Sequence, residues 1–371
     1  MAVHIGRRGL LAGAAATTFV GLTSIAQPQT SARLGVAGDI AERLDLAYRS
    51  GLLDGLHGVL VKRHGETVLE AYFSGTDENW GRPLGDVAFS PTTLHDLRSV
   101  TKSITSLVYG IALAQGRVPP PDAPLLDAFP QYADLAVDPA RAAWTVGNVL
   151  NMTLGTEWNE DVPYTDPANS EIMMERADDR YRFILDRPIV DEPGTRWIYN
   201  GGCSAIIGYL IAEGTGQSLE DFASDALFEP LGITDFEWNR GSDGVPSAAS
   251  GLRLTAPSLA RIGQMMLASG QWQGREIVPA AWIDACMTPQ IAASFGQMYS
   301  NQWYLSEQYV PVASEMRPMI SAAGNGGQRL FVMPSLDLTG VIFAGDYNRM
   351  DQWINPTLVL QRIVLANITE P

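Results

Sequence analysis

Alternating hydrophobic and polar positions occur near both ends of the chain, whereas the middle shows mainly helical spacing. Residues 58–63 and 66–73 have strand-like patterns on either side of a His-Gly turn, which predicts a β-hairpin. Residues 329–333 and 338–344 flank a turn that contains proline, and they predict a second hairpin. We expect the two hairpins to join in one antiparallel sheet.

The segments between the hairpins predict helices. Apolar residues at helical spacing begin at Ser99 and continue to Gly116, where a run of prolines follows. Shorter helical patterns cover residues 40–50, 145–150, 171–185, 203–213, 218–228, 255–267, 279–286 and 354–368. Residues 76–90 and the acidic stretch 159–170 predict loops, and we expect the acidic loop to border the functional cleft.

The order of these patterns predicts an α+β fold. Residues 38–116 and 300–371 would form an antiparallel β-sheet flanked by helices, and residues 117–299 a largely helical inserted domain. A chain of 371 residues, 46% of them hydrophobic, is long enough for a large core. We expect the functional site in a cleft between the sheet and the insertion.

The first residues indicate export. Residues 1–26 predict a signal peptide, and residues 27–37 a linker of small and polar residues. Arg7 and Arg8 precede an apolar stretch, and this pair suggests a twin-arginine signal. The protein is therefore expected to be periplasmic or secreted, with no membrane association after cleavage of the signal.

Composition excludes some classes of partner and ligand. The formal net charge is −16 and no Lys/Arg cluster is present, which argues against nucleic acid as a partner. There is no Cys/His cluster with zinc spacing, so we expect neither a metal nor an organic cofactor. Export would permit a disulfide between Cys203 and Cys286, but two small buried thiols fit the sequence as well.

Ser99-x-x-Lys102 is the strongest candidate for chemistry. Residues three apart on a helix lie on one face, so a hydroxyl and an amine would come within reach of each other. The helix N-terminus supplies free N–H donors and a partial positive charge, which disfavours the ammonium and favours an alkoxide. The alternative is a helix-capping serine followed by an exposed lysine.

A nucleophilic serine needs a base, and the order of residues along the chain argues against histidine in this role. All four histidines precede Ser99, so the Ser–acid–His order of α/β-hydrolases is impossible. Tyr199 follows Pro-Gly-Thr-Arg, and a charged Lys102 beside it would lower its pKa. The glycine-rich segment 321–328 leads into a strand and can aim N–H groups at an oxyanion. The alternatives are that Tyr199 is a core residue and that segment 321–328 is an ordinary glycine-rich turn.

Together these three segments resemble the serine β-lactamase and penicillin-binding-protein superfamily. The closer resemblance is to its class C-like branch, nearest to the 6-aminohexanoate-dimer hydrolases. Residues 150–160, 228–233 and 324–328 are similar to stretches of those enzymes. The resemblance extends from about Gly51 to the C-terminal helix.

The resemblance implies a role for each matching residue. Ser99 corresponds to the acylated serine, Lys102 to the lysine that assists its deprotonation, and Tyr199 to the tyrosine that relays the proton to the leaving group. The backbone N–H groups of Ser99 and Asn325 correspond to the oxyanion hole. The implied substrate is a small ester, an amide or a short peptide, and no cofactor is implied.

Two departures from the family pattern affect the expected substrate. The asparagine of Tyr-x-Asn falls on Gly201, so the adjacent Asn200 is a candidate substitute in substrate binding. The Lys-Thr-Gly motif falls on Ala322-Ala323-Gly324, which keeps Gly324 as a binding candidate but lacks the cation that holds a carboxylate.

We therefore expect a serine hydrolase for esters or linear amides, similar to 6-aminohexanoate-dimer hydrolases and carboxylesterases. A D,D-peptidase or β-lactamase is the alternative enzyme. A non-catalytic ligand-binding or sensor domain on the same fold is the alternative of another class.

Overall fold

The computed structural model describes residues 35–370, so the predicted signal peptide and most of the linker lie outside the described residues. The strands are β1 Leu56–Arg63, β2 Glu66–Tyr72, β3 Ser74–Asn79, β4 Arg82–Ala88, β5 His95–Asp96, β6 Phe236–Trp238, β7 Leu252–Leu254, β8 Gln271–Trp272, β9 Arg275–Glu276, β10 Ile291–Ala292, β11 Met298–Ser300, β12 Trp303–Val310, β13 Glu315–Gly324, β14 Gln328–Met333 and β15 Leu338–Ala344. The α-helices are α1 Ile40–Arg49, α2 Val100–Ala114, α3 Pro139–Ala142, α4 Val146–Leu150, α5 Ser170–Glu175, α6 Arg180–Leu185, α7 Gly201–Thr215, α8 Leu219–Ala223, α9 Ala256–Leu267, α10 Ala280–Met287 and α11 Ile354–Leu358. Between residues 35 and 370, no helix combines the length and the hydrophobicity needed to cross a bilayer.

The main sheet has eight strands in the order β10-β11-β12-β13-β14-β15-β1-β2, and all of its pairs are antiparallel. β1 lies between β2 and β15, with Arg63 opposite Leu338 and Gly58 opposite Phe343. The expected union of the two terminal hairpins is therefore confirmed, and with it the α+β class.

Alternating side chains give the sheet two apolar faces, as the period of a strand requires. Leu60, Leu330 and Val341 belong to the larger hydrophobic cluster, which includes α2, α7 and α9. Val61 and Phe331 point the other way, into a second cluster with α1 and the C-terminal helical segment. The sheet is thus covered by helices on both faces.

α2 runs through the middle of the larger cluster. Every residue from Val100 to Ala112 is buried, so the helix is covered on all sides. Trp282 of α10 donates its indole N–H to the carbonyl of Ser106 at 2.9 Å, and its ring lies against Gly110. A Cβ at Gly110 would stand 2.1 Å from the Trp282 ring, so this glycine sets the spacing of the two helices.

Several predictions of local structure were wrong or incomplete. Residues 76–90 were expected to be a loop, but β3 and β4 form a hairpin there. β4 is exposed along most of its length, so no hydrophobic alternation marks it. β12 and β13 were not predicted at all. The single helix expected over 171–185 is divided into α5 and α6. Cys203 and Cys286 are both free and buried.

Gly110→Ala is expected to destabilise the protein by roughly 1–3 kcal/mol through overpacking against Trp282. At an uncrowded helix position the same change would stabilise by about 1 kcal/mol through helix propensity. Urea unfolding measures the difference. The control is Gly110→Ala combined with Trp282→Leu, in which the added methyl should cost much less than in the wild-type background. Unchanged or higher stability of the single variant would contradict the packing described.

Candidate active site

Ser99 lies in a turn between β5 and α2. Arg98 has a positive φ of 48°, and the Leu97 N–H donates to the carbonyl of Leu252 at 3.0 Å, which ties the turn to β7. The Ser99 side chain borders a cleft of about 1100 Å³. Ser99 itself is 8% exposed. The start of α2 therefore presents the hydroxyl at the cleft floor.

Lys102 lies one helical turn after Ser99, and its ammonium is buried. Its Nζ donates to Ser99 Oγ at 3.1 Å, to the carbonyl of Ala249 at 3.0 Å and to Glu171 Oε2 at 3.2 Å. The side chain is 2% exposed. The alternative of a surface lysine behind a capping serine does not hold, because the two side chains of the motif contact each other inside the protein.

Tyr199 completes this group. Its ring centroid lies 5.0 Å from Lys102 Nζ, and Tyr199 and Ser99 line the same cleft. The segment that carries it leads into α7 and lines the cleft. The expected fall in the pKa of Tyr199 is wrong. Burial raises that pKa, and the carboxylates Glu160 and Glu171 add to burial, so together they outweigh the charge of Lys102.

Glu171 is a site residue that the sequence did not single out. It lies in α5, where its Oε2 pairs with Lys102 and its Oε1 accepts from Ser250 Oγ at 2.7 Å. Its burial would raise its pKa, but Lys102 and Ser250 reverse this and the pKa is lowered. The carboxylate is therefore an anion that balances the buried ammonium.

Glu160, in the acidic loop, is a second buried carboxyl group. Its Oε1 accepts from the Trp158 indole and from the backbone N–H of Gly201, both at 2.6 Å, and its Oε2 accepts from the Tyr164 hydroxyl at 2.7 Å. Burial, reinforced by Glu171, raises its pKa to about 7. The expectation that this loop borders the cleft agrees with the lining, which includes residues 160–164.

These carboxyl groups determine the charge of Lys102. Burial alone would lower the pKa of the ammonium, but Glu171, Tyr199 and Glu160 together raise it above its ordinary value. The sequence suggested that the helix N-terminus would disfavour the ammonium. In the folded site the adjacent acids decide instead, and the resting pair is a Lys102 ammonium beside a Tyr199 phenol.

β13 ends beside the turn that precedes Ser99, and Asn325 is the residue that follows this strand. A Cβ at Gly324 would stand 2.3 Å from the carbonyl of Leu97, so only glycine lets β13 approach the turn before α2. The Asn325 side chain accepts from the Asn348 N–H at 2.9 Å, which holds the following turn. Within residues 35–370, neither the Ser99 nor the Asn325 N–H donates to another group outside regular helix and strand bonding.

Asn200 was a candidate for substrate binding, but in the structure it caps a helix. Its side chain caps α7 by accepting from the Cys203 N–H at 3.2 Å, and the residue is 2% exposed. At the neighbouring Gly201, a Cβ would stand 2.4 Å from Glu171 Oε2. Glu171 thus fills the space that a side chain at the family's asparagine position would need.

Arg329 is a cation that the sequence analysis overlooked. It lies on β14 directly opposite Ala323 of β13, and both residues line the cleft. Burial lowers its pKa, although the nearby Tyr304 and Tyr199 act the other way. In the described part of the chain no carboxylate lies within ion-pair distance of it. Pairing strands across the glycine-rich turn would have placed residues 323 and 329 side by side.

Comparison with known proteins agrees with this geometry. Residues 34–356 match the family model described as Beta-lactamase. A 6-aminohexanoate-dimer hydrolase from Paenarthrobacter ureafaciens is 28% identical over 300 residues, which cover 75% of this chain and 69% of that protein.

Solved structures show the same fold. A putative 6-aminohexanoate-dimer hydrolase from Bacillus anthracis has a TM-score of 0.66 at 19% identity, covering 85% of this chain and 81% of the other. A hydrolase with promiscuous acyltransferase activity has a TM-score of 0.70 at 14% identity, covering 88% and 98%. With the family match over most of its length, this chain belongs to the Beta-lactamase family.

Proposed function

We propose that the protein is a serine hydrolase that cleaves an ester or a linear amide through an acyl-enzyme. The observation that carries the proposal is the 3.1 Å contact between Lys102 Nζ and Ser99 Oγ at the edge of a large cleft. A hydroxyl that contacts an ammonium beside a tyrosine, with the Ser99 and Asn325 N–H groups as candidate oxyanion donors, has what nucleophilic acyl transfer requires.

The first half of the reaction forms the acyl-enzyme. The pair of Lys102 and Tyr199 loses one proton to solvent, and the phenolate then accepts the proton of Ser99 Oγ as that oxygen attacks the substrate carbonyl. The N–H groups of Ser99 and Asn325 stabilise the oxyanion. When the intermediate collapses, the bond to the leaving amine or alcohol breaks, and the leaving group takes the proton from Tyr199.

The second half releases the acid. Water attacks the acyl ester and gives a proton to the Tyr199 phenolate, and the tetrahedral intermediate forms in the same oxyanion site. Its collapse breaks the bond to Ser99 Oγ, which recovers its proton from Tyr199. Lys102 stays protonated, so its charge stabilises the phenolate at every stage.

Arg329 supports a substrate that carries a carboxylate near the scissile bond. A partly buried guanidinium without an anionic partner is costly, and a carboxylate ligand would compensate it with charge-assisted hydrogen bonds. The amide-cleaving relative of Paenarthrobacter ureafaciens supports a linear amide as the scissile group. An amino-acid amide with a free carboxylate meets both conditions.

Arg329 also favours a second candidate, cleavage of D,D-peptides or β-lactams. The absence of a cation from Ala322-Ala323 argued against these substrates, and Arg329 opposite Ala323 supplies one from the next strand. Hydrolysis of nitrocefin that depends on Arg329 would support this candidate. Acyl-enzyme that accumulates without turnover on every substrate would instead support a sensor domain.

Ser99→Ala is expected to abolish turnover of p-nitrophenyl butyrate and of a 6-aminohexanoate dimer, because no other group replaces the nucleophile. Ser50→Ala, an exposed serine after α1, is the matched control and should keep full activity. Labelling by a serine-directed phosphonate, read by mass spectrometry, should also vanish in Ser99→Ala. Labelling that persists in this variant would refute the assignment.

Arg329→Met is expected to raise KM for the 6-aminohexanoate dimer by about 10- to 100-fold, since a hydrogen bond to a charged group contributes about 1.5–3 kcal/mol. KM for the uncharged p-nitrophenyl acetate should change little. Arg349→Met removes a half-exposed arginine at the cleft rim that already pairs with acids, and it serves as the control. Equal effects on the charged and uncharged substrates would rule out carboxylate binding by Arg329.

Glu160→Gln is expected to shift the rising limb of the kcat/KM profile to lower pH by about one unit. Above pH 7 the Glu160 carboxylate raises the pKa of both Lys102 and Tyr199. Removal of the Glu160 charge lets the pair of Lys102 and Tyr199 lose its proton more easily. Glu157→Gln, an exposed cleft residue paired with Arg187, should leave the limb in place. A shift to higher pH in Glu160→Gln would contradict the charge state described.

A further inference from the structure

A buried cluster of three metal-ligating side chains lies outside the group formed by Ser99, Lys102 and Tyr199. It consists of His57 on β1, Asp77 on β3 and His95 on β5, and their candidate ligand atoms all lie within 4.8 Å of one another. His57 is 1% exposed, Asp77 2% and His95 0%. Three strands from different sheets converge on it, so the cluster is built by the tertiary fold.

The hydrogen bonds of the cluster determine which ring nitrogens carry protons. His95 Nδ1 lies 3.0 Å from the carbonyl of Asp96, which can only accept, so this nitrogen carries the proton. His95 Nε2 is then unprotonated; it accepts a hydrogen bond from the His57 Nδ1–H at 2.9 Å and lies 3.9 Å from Asp77 Oδ1. A metal-binding histidine is held in this way, with its outer N–H on a carbonyl.

Asp77 gives an independent reason to expect a cation. Its Oδ1 accepts from the Tyr347 hydroxyl at 2.9 Å, but its Oδ2 is buried without a hydrogen-bond partner. A buried carboxylate oxygen without a donor is costly.

We propose that His57 Nδ1, His95 Nε2 and an Asp77 carboxylate oxygen form a structural site for a divalent transition metal ion, with Zn²⁺ as the best fit. Two neutral imidazoles and one carboxylate are ligands that Zn²⁺ accepts. The Tyr347 hydroxyl, which donates to Asp77 Oδ1 at 2.9 Å, is a candidate for a fourth ligand.

Binding at both imidazoles requires the His57 proton to move from Nδ1 to Nε2, and it requires the Asp77 oxygen to approach His95 Nε2 from 3.9 Å. Ligand atoms about 2.0–2.1 Å from Zn²⁺ in a tetrahedron lie roughly 3.3 Å apart, so the two nitrogens must separate slightly from 2.9 Å. The rings are already oriented, because His57 stacks on Phe89 at 4.1 Å and His95 on Phe343 at 4.5 Å. The neighbouring Arg98 and Arg253 pair with the Asp96 carboxylate, at 3.3 Å and 3.0 Å.

The site would stabilise the turn that holds the oxyanion donor. Tyr347 precedes Asn348, whose N–H donates to the Asn325 side chain. A metal ion that fixes Asp77 and Tyr347 therefore fixes this turn without touching the substrate. The inference does not depend on the proposed reaction, since it concerns only binding and stability.

Metal content and thermal unfolding test the proposal directly. The mature protein is stripped with dipicolinate, dialysed, and titrated with Zn²⁺ or Co²⁺ alone. We expect about one Zn²⁺ per chain by elemental analysis, a Tm higher by about 5 °C at 100 times the Kd, and the visible absorption of four-coordinate Co²⁺. Wild-type protein that binds no metal and shows no Tm shift would overturn the proposal.

Two variants locate the ion. Asp77→Asn keeps the shape of the side chain and should lose the Co²⁺ spectrum and the Zn²⁺-dependent Tm shift. His64→Gln is the matched control, because His64 forms an exposed pair with Asp337 at 3.0 Å. This variant should lose metal only if the ion binds at the surface histidine and not at the buried cluster. Loss of metal in His64→Gln and retention in a folded Asp77→Asn would refute the buried site. If Asp77→Asn fails to fold, the wild-type and His64→Gln titrations still decide.

Discussion

The candidate active site depends on the burial of one ammonium group, that of Lys102. Lys102 is almost completely removed from water, and a buried charge is tolerated only where charges and dipoles of the protein replace the lost solvent. The replacements come from separate parts of the chain: Glu171 from α5, the Ala249 carbonyl from the turn before β7, and the Ser99 hydroxyl from the start of α2. The same contacts that satisfy the ammonium therefore position the serine.

This compensation explains why the site is rich in acids although its proposed reaction needs none of them as a nucleophile. Glu171 is held as an anion by the ammonium, and it occupies the space at Gly201 where the family pattern places a side chain. Burial raises the pKa of Glu160, and the nearby Glu171 adds to this rise. Glu171 fits in its position because residue 201 is a glycine and has no side chain there.

Much of the fold was predictable because periodicity is a local property of the sequence. The terminal hairpins and α2 carry strong patterns, and the Ser-x-x-Lys spacing follows from helix geometry alone. The largely exposed β4 has no such pattern, so its hairpin with β3 was missed. In the site, Ser99, Lys102 and Tyr199 were recognisable from their motifs. Glu171 and Arg329 were not, since their roles depend on contacts between distant segments and on strand register.

The pairing of β1 with β15 has a consequence for biosynthesis. Arg63 and Leu338 are neighbours in the sheet, so one of the first strands to leave the ribosome pairs with one of the last. Until then β1 has only β2 beside it, and one of its edges is open. Closure of a loop this long is slow, and an unpaired apolar edge is prone to aggregation. The main sheet of the nascent chain therefore keeps an open edge at β1 until β15 has been made.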